Sequence, residues 1–402
     1  MPQPLRALLL EQVHSDARAV LEDAGIVVDT VDRAMDEDEL VSRLPGIHLL
    51  GLRSKTHLSA RAIDAAADLI AVGAFCIGTN QIDLTAASEH GVAVFNAPFS
   101  NTRSVVELAI AELIALTRRL TEKNEAMHAG VWDKSADGAH EIRGRTLGIV
   151  GYGNIGTQLS VLAENLGMRV IFFDAADKLA LGNARRASSM EELLAQADVV
   201  TLHVDGRASN KDIFGAAQFA AMRPDSLFLN LSRGFVVDYS ALRTHIESGH
   251  IAGAAVDVFP VEPRGRGDEF VSELRGLPNV ILTPHIGGST EEAQRDIGNF
   301  VAGKFRDYVA EGNTSMSVNL PPLTLPRPAG TLRLVHIHRN VPGVLARVNG
   351  LLAEQQVNVE AQMLGTRGEF GYVVTDSVSG TTQAIVDVIR AMPETVRLRV
   401  IQ

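Results

Sequence analysis

A single cysteine, Cys76, rules out an internal disulfide and any zinc cluster built on paired thiolates, and no metal site is expected. No apolar run approaches the ~18 residues of a membrane-spanning helix. The first residues, Met1–His14, hold an apolar core of only Leu5–Leu10, broken by Arg6, which is too short for a secretory signal. The expected location is therefore the cytoplasm. Positive charge is scarce as well. Lys plus Arg number 37 against 48 Asp plus Glu, a net charge of −11, and no long basic block stands apart from that balance. Nucleic acid and anionic membrane surfaces are thus poor candidate partners. What is present is ordinary for a globular protein: 46% hydrophobic and 21% charged residues. At ~150 residues per domain, the chain's 402 residues make two or three domains.

Residues 1–100 alternate short β-rich runs with helical patterns. Strands are predicted at Leu8–Leu10, Ile26–Val31, His48–Leu52 and Leu69–Phe75, and helices at Ser15–Ala24 (N-cap Ser15), Asp36–Leu44 and Ser59–Ala67. This alternation implies a parallel sheet covered by helices. A second series follows Asn101. Ser104 and Glu107 have capping-box spacing ahead of a long helix, Val105 to about Leu120. Strands follow at Thr146–Val150, Val170–Phe173, Val199–Leu202, Ser226–Asn230, Ala254–Val258 and Val280–Leu282. Four prolines, Pro321, Pro322, Pro326 and Pro328, mark a linker. Beyond it the predicted order is strand Thr331–His338, helix Gly343–Glu354, strands Val357–Leu364 and Phe370–Thr375, helix Thr381–Ala391 and strand Val396–Ile401. That β-α-β-β-α-β order is ferredoxin-like.

Gly151-Tyr152-Gly153-Asn154-Ile155-Gly156 follows one predicted strand and opens a helix over Ile155–Leu166. In that context the first glycine allows the tight turn, the second a close approach of backbone to a pyrophosphate, and the third close helix–strand packing. The helix N-terminus presents N–H groups to phosphates. Asp174 ends the next strand, where a carboxylate accepts hydrogen bonds from a ribose 2′-hydroxyl, and Ala175 and Ala176 beside it offer no arginine for a 2′-phosphate. The cofactor expected is NAD.

Arg233, Glu262 and His285 lie just beyond the ends of three predicted strands, the side of a parallel sheet that faces ligands. An imidazole base, a carboxylate that favours its charged form and a guanidinium that clamps a substrate carboxylate suit hydride transfer at a carbon bearing oxygen. Asn230–Asp238, Val256–Pro263 and Pro284–Thr290 resemble the signatures of the D-isomer-specific 2-hydroxyacid dehydrogenases. The resemblance implies Arg233, Glu262 and His285 as the catalytic triad, and Asp257 as a contact to the nicotinamide carboxamide. It places His203 on the cofactor, with Gly151 to Gly156 and Asp174. It also implies a discontinuous architecture. A flavodoxin-like substrate domain (1–100 and 288–329) would surround an inserted doubly wound, Rossmann-type cofactor domain (101–287), with a C-terminal ferredoxin-like ACT domain (330–402).

Gly51–His57 carries Arg53, Ser54 and Lys55 after a predicted strand, a cluster suited to an anionic group. Together with Ala71–Asp83 and Phe95–Glu107 it resembles the family members that act on 3-phosphoglycerate. That resemblance assigns Arg53, Ser54 and Asn101 to substrate binding and Lys55 to the phosphate region, and it matches Trp132 and Lys134 to positions reaching a neighbouring subunit's site. His336–Leu345 resembles an ACT domain, a module that binds amino acids between paired copies, and the resemblance assigns His338, Asn340 and Asn358 to an effector, L-serine. A homotetramer is implied in the same way. The activity so implied is NAD-dependent oxidation of 3-phospho-D-glycerate to 3-phosphohydroxypyruvate, the first step of serine biosynthesis. Action on 2-oxoglutarate, hydroxypyruvate, glyoxylate or D-lactate is the alternative, and a non-catalytic corepressor or amino-acid-sensing scaffold the non-enzymatic one. The chain departs from the family at Asp205, where proline is usual after Leu202-His203-Val204, and at Pro328-Ala329-Gly330, where some relatives carry paired glycines.

Overall fold

The computed structural model describes residues 4–263, 267–378 and 382–402. The chain divides into two compact units, residues 1–100 with 294–402, and residues 101–293.

The first unit begins with five parallel strands: β1 (Arg6–Leu10), β2 (Val27–Val31), β3 (Leu49–Leu52), β4 (Ala71–Ala74) and β5 (Ala93–Asn96). Their order, β2-β1-β3-β4-β5, is the flavodoxin-like one. β3 and β4 are buried along their whole length, as strands covered on both faces must be. β5 and the helix before it, Leu84–Glu89, carry no alternating or helical period in so few residues. The signal that marks them is Gly91, whose φ of +63° stops the helix. Ser15 does not cap its helix. It is the first helical residue, and His14 accepts the Asp16 amide instead.

The second unit holds seven parallel strands: β6 (Thr146–Val150), β7 (Arg169–Phe173), β8 (Arg185–Arg186), β9 (Val199–Leu202), β10 (Ser226–Asn230), β11 (Ile251–Val256) and β12 (Val280–Leu282). The order β12-β11-β10-β9-β6-β7-β8 reverses direction between β6 and β9, the doubly wound arrangement that opens a ligand crevice at the strand carboxyl ends. The helix expected from Val105 runs Thr102–Thr117. Ser104 and Glu107 are not a capping box, because both lie inside the helix. Ser104 bonds the Thr290 hydroxyl, and Glu107 pairs with Arg103 one turn away. Arg119, at φ +50°, breaks the helix and starts a separate one at Leu120–His128.

The C-terminal segment adds four antiparallel strands to the first unit: β13 (Leu332–Arg339), β14 (Val359–Arg367), β15 (Phe370–Ser377) and β16 (Thr395–Ile401). They are ordered β14-β15-β13-β16 under helices Val344–Glu354 and Gln383–Arg390; Thr381, the expected start of the second helix, lies outside the described residues. This sheet shares a core with the flavodoxin-like sheet, Val335, Ile337, Tyr372 and Val374 packing with Phe305 and Tyr308. Arg333 and Asp376 form a fully buried two-bond ion pair at 2.6 and 2.7 Å, and Arg333 also donates to the Glu311 carbonyl. The proline-rich segment is a packed strap. Leu320 and Leu323 are buried, and Thr314 bonds Pro321 and Leu323.

Candidate active site

The glycine turn sits between β6 and the helix Asn154–Asn165. Gly151 has φ +95°, and a Cβ there would lie 2.5 Å from the His203 carbonyl oxygen. A Cβ on Gly156 would lie 2.3 Å from the Gly151 oxygen, so this helix meets the turn only through glycine. Gly153 has open space, and no side chain caps the helix it begins. This is a cradle shaped for a pyrophosphate. Asp174 follows β7. One of its carboxylate oxygens accepts the Tyr152 amide at 2.8 Å and the other the Ala176 amide, which fixes the acid against the turn. The Tyr152 ring itself is buried and stacks on Phe172 at 3.7 Å, so only its backbone faces the cradle. Arg186 donates to the Asp174 and Ala176 carbonyls, a cation near this loop that the sequence does not reveal. His203 borders Gly151. Burial pushes its pKa down to about 4, so the ring is neutral, with Nε2 on the Thr201 hydroxyl and Nδ1 unpartnered. Asp205 binds Arg207 and Asn210, and the following loop folds into a short 3-10 turn, Ala208–Asn210.

Past β12 the chain turns sharply at His285, whose φ of +53° is unusual for a residue with a side chain. Such strain persists where surrounding bonds impose it. Here the bonds come from Asp257. It is 1% exposed and accepts the Thr283 hydroxyl at 2.6 Å, the Ile286 amide at 2.8 Å and the Gly287 amide at 2.8 Å. His285 Nδ1 then meets Glu262, at 2.9 Å from Oε2 and 3.1 Å from Oε1. The hydrogen bond and charge of Glu262 raise the His285 pKa against the opposing effect of burial. Burial pushes Glu262 upward in turn, but the bond and charge of His285, the Phe259 amide and the charge of Arg233 outweigh it, leaving Glu262 below the usual carboxylate range. Asn230 and Tyr239 hold the Arg233 turn. The Asn230 amide group donates to the Arg233 carbonyl and the Tyr239 hydroxyl, which donates to the Val258 carbonyl, knitting the Arg233 loop to the Glu262 loop. Sequence reasoning passes over these two residues and Thr283. For Asn230 and Thr283 the clue is a polar residue closing a largely apolar strand; Tyr239, at the start of a helix, carries no such signal.

Other predicted residues fall elsewhere. Arg53, Ser54 and Lys55 form a loop after β3 organised by buried Glu11, whose carboxylate accepts the Arg53, Lys55 and Thr56 amides. Asn101 precedes the helix Thr102–Thr117 with its Oδ1 buried and unpartnered. Trp132 is 73% exposed, and Lys134 is exposed beside it. His338 is buried, and its Nδ1 faces the Arg339 carbonyl. Asn340 lies at the Arg339–Phe370–Arg367 end of the C-terminal sheet, where it donates to the Gly368 carbonyl. Asn358 precedes Val359 at the opposite end, beside Ser377 and Leu332. The whole of β13 lies between these two ends, so at ~3.3 Å per residue the two asparagines are more than about 20 Å apart and one copy does not bring them together.

Comparison with known proteins gives the same answer as the geometry. Residues 110–287 match the NAD-binding domain of D-isomer-specific 2-hydroxyacid dehydrogenases, and residues 334–397 match an ACT domain like that of the AHAS small subunit. The chain is 49% identical over 398 residues to the D-3-phosphoglycerate dehydrogenase of Haemophilus influenzae, covering 99% of this chain and 97% of that one. The chain belongs to the D-isomer-specific 2-hydroxyacid dehydrogenase family. An equal identity, over 400 residues and the same shares of each chain, relates this dehydrogenase to the D-3-phosphoglycerate dehydrogenase of Escherichia coli K12. Among solved structures, D-2-hydroxyisocaproate dehydrogenase superposes with a TM-score of 0.71 at 25% identity, covering 78% of this dehydrogenase and all of that chain. As a family member the chain is an NAD-dependent oxidoreductase, and its glycine cradle and Asp174 fit that cofactor.

Proposed function

We propose that the chain oxidises 3-phospho-D-glycerate at C2 to 3-phosphohydroxypyruvate, the entry step of serine synthesis. The observation that carries the reading is the His285–Glu262 bond on the loop held by Asp257, with the charge of Arg233 acting on both partners. Identity with D-3-phosphoglycerate dehydrogenases along the whole chain supports the choice of substrate. With Nδ1 engaged by Glu262, the other ring nitrogen of His285 takes the C2 hydroxyl proton. Glu262 fixes the tautomer and stabilises the imidazolium that forms. Arg233 holds the substrate carboxylate and keeps the carbonyl polarised. Bound NAD would supply the hydride acceptor. Gly151, Gly153, Asn154, Ile155 and Gly156 hold its pyrophosphate, Asp174 its ribose, and Asp257 and His203 line its nicotinamide side.

Arg53 and Ser54 with Asn101 bind the substrate, Lys55 serves its phosphate, and Trp132 and Lys134 reach the site of a neighbouring subunit in a cytoplasmic homotetramer. His338 and Asn340 of one copy and Asn358 of another complete an L-serine site, which the separation of the two asparagines within one chain favours. The test is reduction of phosphohydroxypyruvate followed at the NADH absorbance, beside 2-oxoglutarate, hydroxypyruvate and glyoxylate, and titrated with L-serine. The expected result is a preference for the phosphorylated substrate of about tenfold or more in kcat/KM. Equal kcat/KM for phosphorylated and unphosphorylated acids would remove the phosphate assignment.

A further inference from the structure

Behind the His285 loop lies a second acid that the mechanism does not use. Glu112, in the middle of the helix Thr102–Thr117, is 3% exposed. Its Oε2 is buried with no hydrogen-bond partner, and its Oε1 lies 3.5 Å from the Thr283 hydroxyl. Thr283 has one hydroxyl proton, and Asp257 Oδ1 is closer to it, at 2.6 Å. With that proton committed to Asp257, Thr283 offers Glu112 only lone pairs. A carboxylate at 112 would then face lone pairs and a neighbouring negative charge without a donor, an arrangement strongly disfavoured in a protein interior. A carboxylic acid there gives the Thr283 oxygen a donor and removes the charge from Glu112.

Among the described residues, the surroundings supply no cation. Helix Thr102–Thr117 packs against β10, β11, β12 and the helices Asn154–Asn165 and Leu120–His128. The three strands contain no titratable residue, and Asp257, just past β11, is the charged group that faces Glu112. Glu164 of the first helix accepts the Asn183 amide. On the second, Glu122 pairs with Arg119 and Lys123 with Asp133, while Glu125 and His128 are exposed. Burial and the charge of Asp257 push the Glu112 pKa up to about 8.

We propose that Glu112 is a positioning residue for the hydride-transfer reaction: its carboxylic acid donates to Thr283, completing the chain Glu112–Thr283–Asp257 that sets the backbone next to His285. The inference rests on the dehydrogenase reading, and it adds a buried group that touches neither substrate nor cofactor. It also carries a consequence for pH. Loss of the Glu112 proton places a second negative charge beside Asp257 and removes the donor to Thr283, so the loop loses its register as pH rises through about 8.

E112Q keeps a donor and cannot ionise, whereas E112L and T283V remove the link. In the full-length enzyme, E112Q should keep kcat at pH 7 within about threefold and lose the alkaline decline expected of the wild type, while E112L and T283V should lower kcat about 10- to 100-fold. Dissociation constants for NADH, read by fluorescence, should stay within about twofold in all three variants, since the cradle is untouched. A readout independent of turnover is thermal stability. The folded protein holds a proton on Glu112 that the unfolded chain releases near its ordinary value of 4.5, so wild-type stability falls as pH rises from there to about 8. The Tm of E112Q should therefore gain on the wild type across that window and hold its lead above it. Identical alkaline profiles for wild type and E112Q, or wild-type kcat in T283V and E112L, would overturn the proposal; should E112L not fold, the E112Q profile and Tm series decide. A wild type without turnover on any hydroxy acid would instead refute the proposed function, and the Tm series would still report on the buried proton.

Discussion

The two faces of the loop from Thr283 to Gly287 use the same chemical group to opposite ends. On the open face, Glu262 is half-exposed, bonded to His285 and held below the usual carboxylate range. On the closed face, Glu112 is buried beside another acid and its pKa rises to about 8. The side chains are chemically identical; what separates them is solvent and the charge of the nearest neighbour. An imidazole within hydrogen-bond distance keeps the first an anion. A carboxylate across a shared hydroxyl makes the second an acid that serves as a donor. Between them, Asp257 accepts three hydrogen bonds and transmits the packing of the closed face to the geometry of the open one.

Removing the base breaks the open face outright. H285A should lose about 10²- to 10⁴-fold in kcat, the usual scale of general acid–base catalysis, while NADH binding by fluorescence stays near wild type. Wild-type turnover in that variant would take His285 out of the mechanism. Cutting the connection between the faces comes next. D257A leaves two loop amides and a hydroxyl without their acceptor, and should cost about 2–3 kcal/mol of stability in urea unfolding together with a large part of kcat. If stability falls and kcat at saturating substrate does not, the loop's register is irrelevant to the chemistry. The smallest effect sharpens the open face. Glu262 raises the His285 pKa, so His285 stays protonated to a higher pH than a free imidazole and oxidation, which needs the neutral ring, rises as pH climbs through that raised value. E262Q should shift this rising limb to lower pH and reduce kcat about tenfold. A pH–rate profile superposable on the wild type would show that Glu262 does not set the proton affinity of His285.

Much of this site is legible in the order of the amino acids. The glycine turn is contiguous, and Gly151 and Gly156 each answer a local steric demand, so strand, turn and helix are read together. Arg233, Glu262 and His285 are legible because parallel strands deliver their carboxyl ends to one side. Glu112, Thr283 and Glu11 are not, since each owes its role to a partner 26 to 171 positions away and shows no period or motif of its own. Ser104 and Glu107 show the opposite failure. Their spacing fits a capping box, yet Ser104 is claimed by Thr290, 186 positions on. The proline-rich strap misleads for a related reason: composition records that the segment cannot be helix or sheet, but not that Leu320 and Leu323 are buried.

The amino-acid order alone determined the parallel architecture, the glycine cradle and the three groups proposed to act on substrate, because short-range sterics and strand polarity dictate them. Only the folded arrangement decided which carboxyl groups carry a charge, since proton affinity depends on burial and on neighbours that the chain brings together from far apart. The same long-range packing made the C-terminal sheet share a core with the flavodoxin-like sheet rather than hang from a tether.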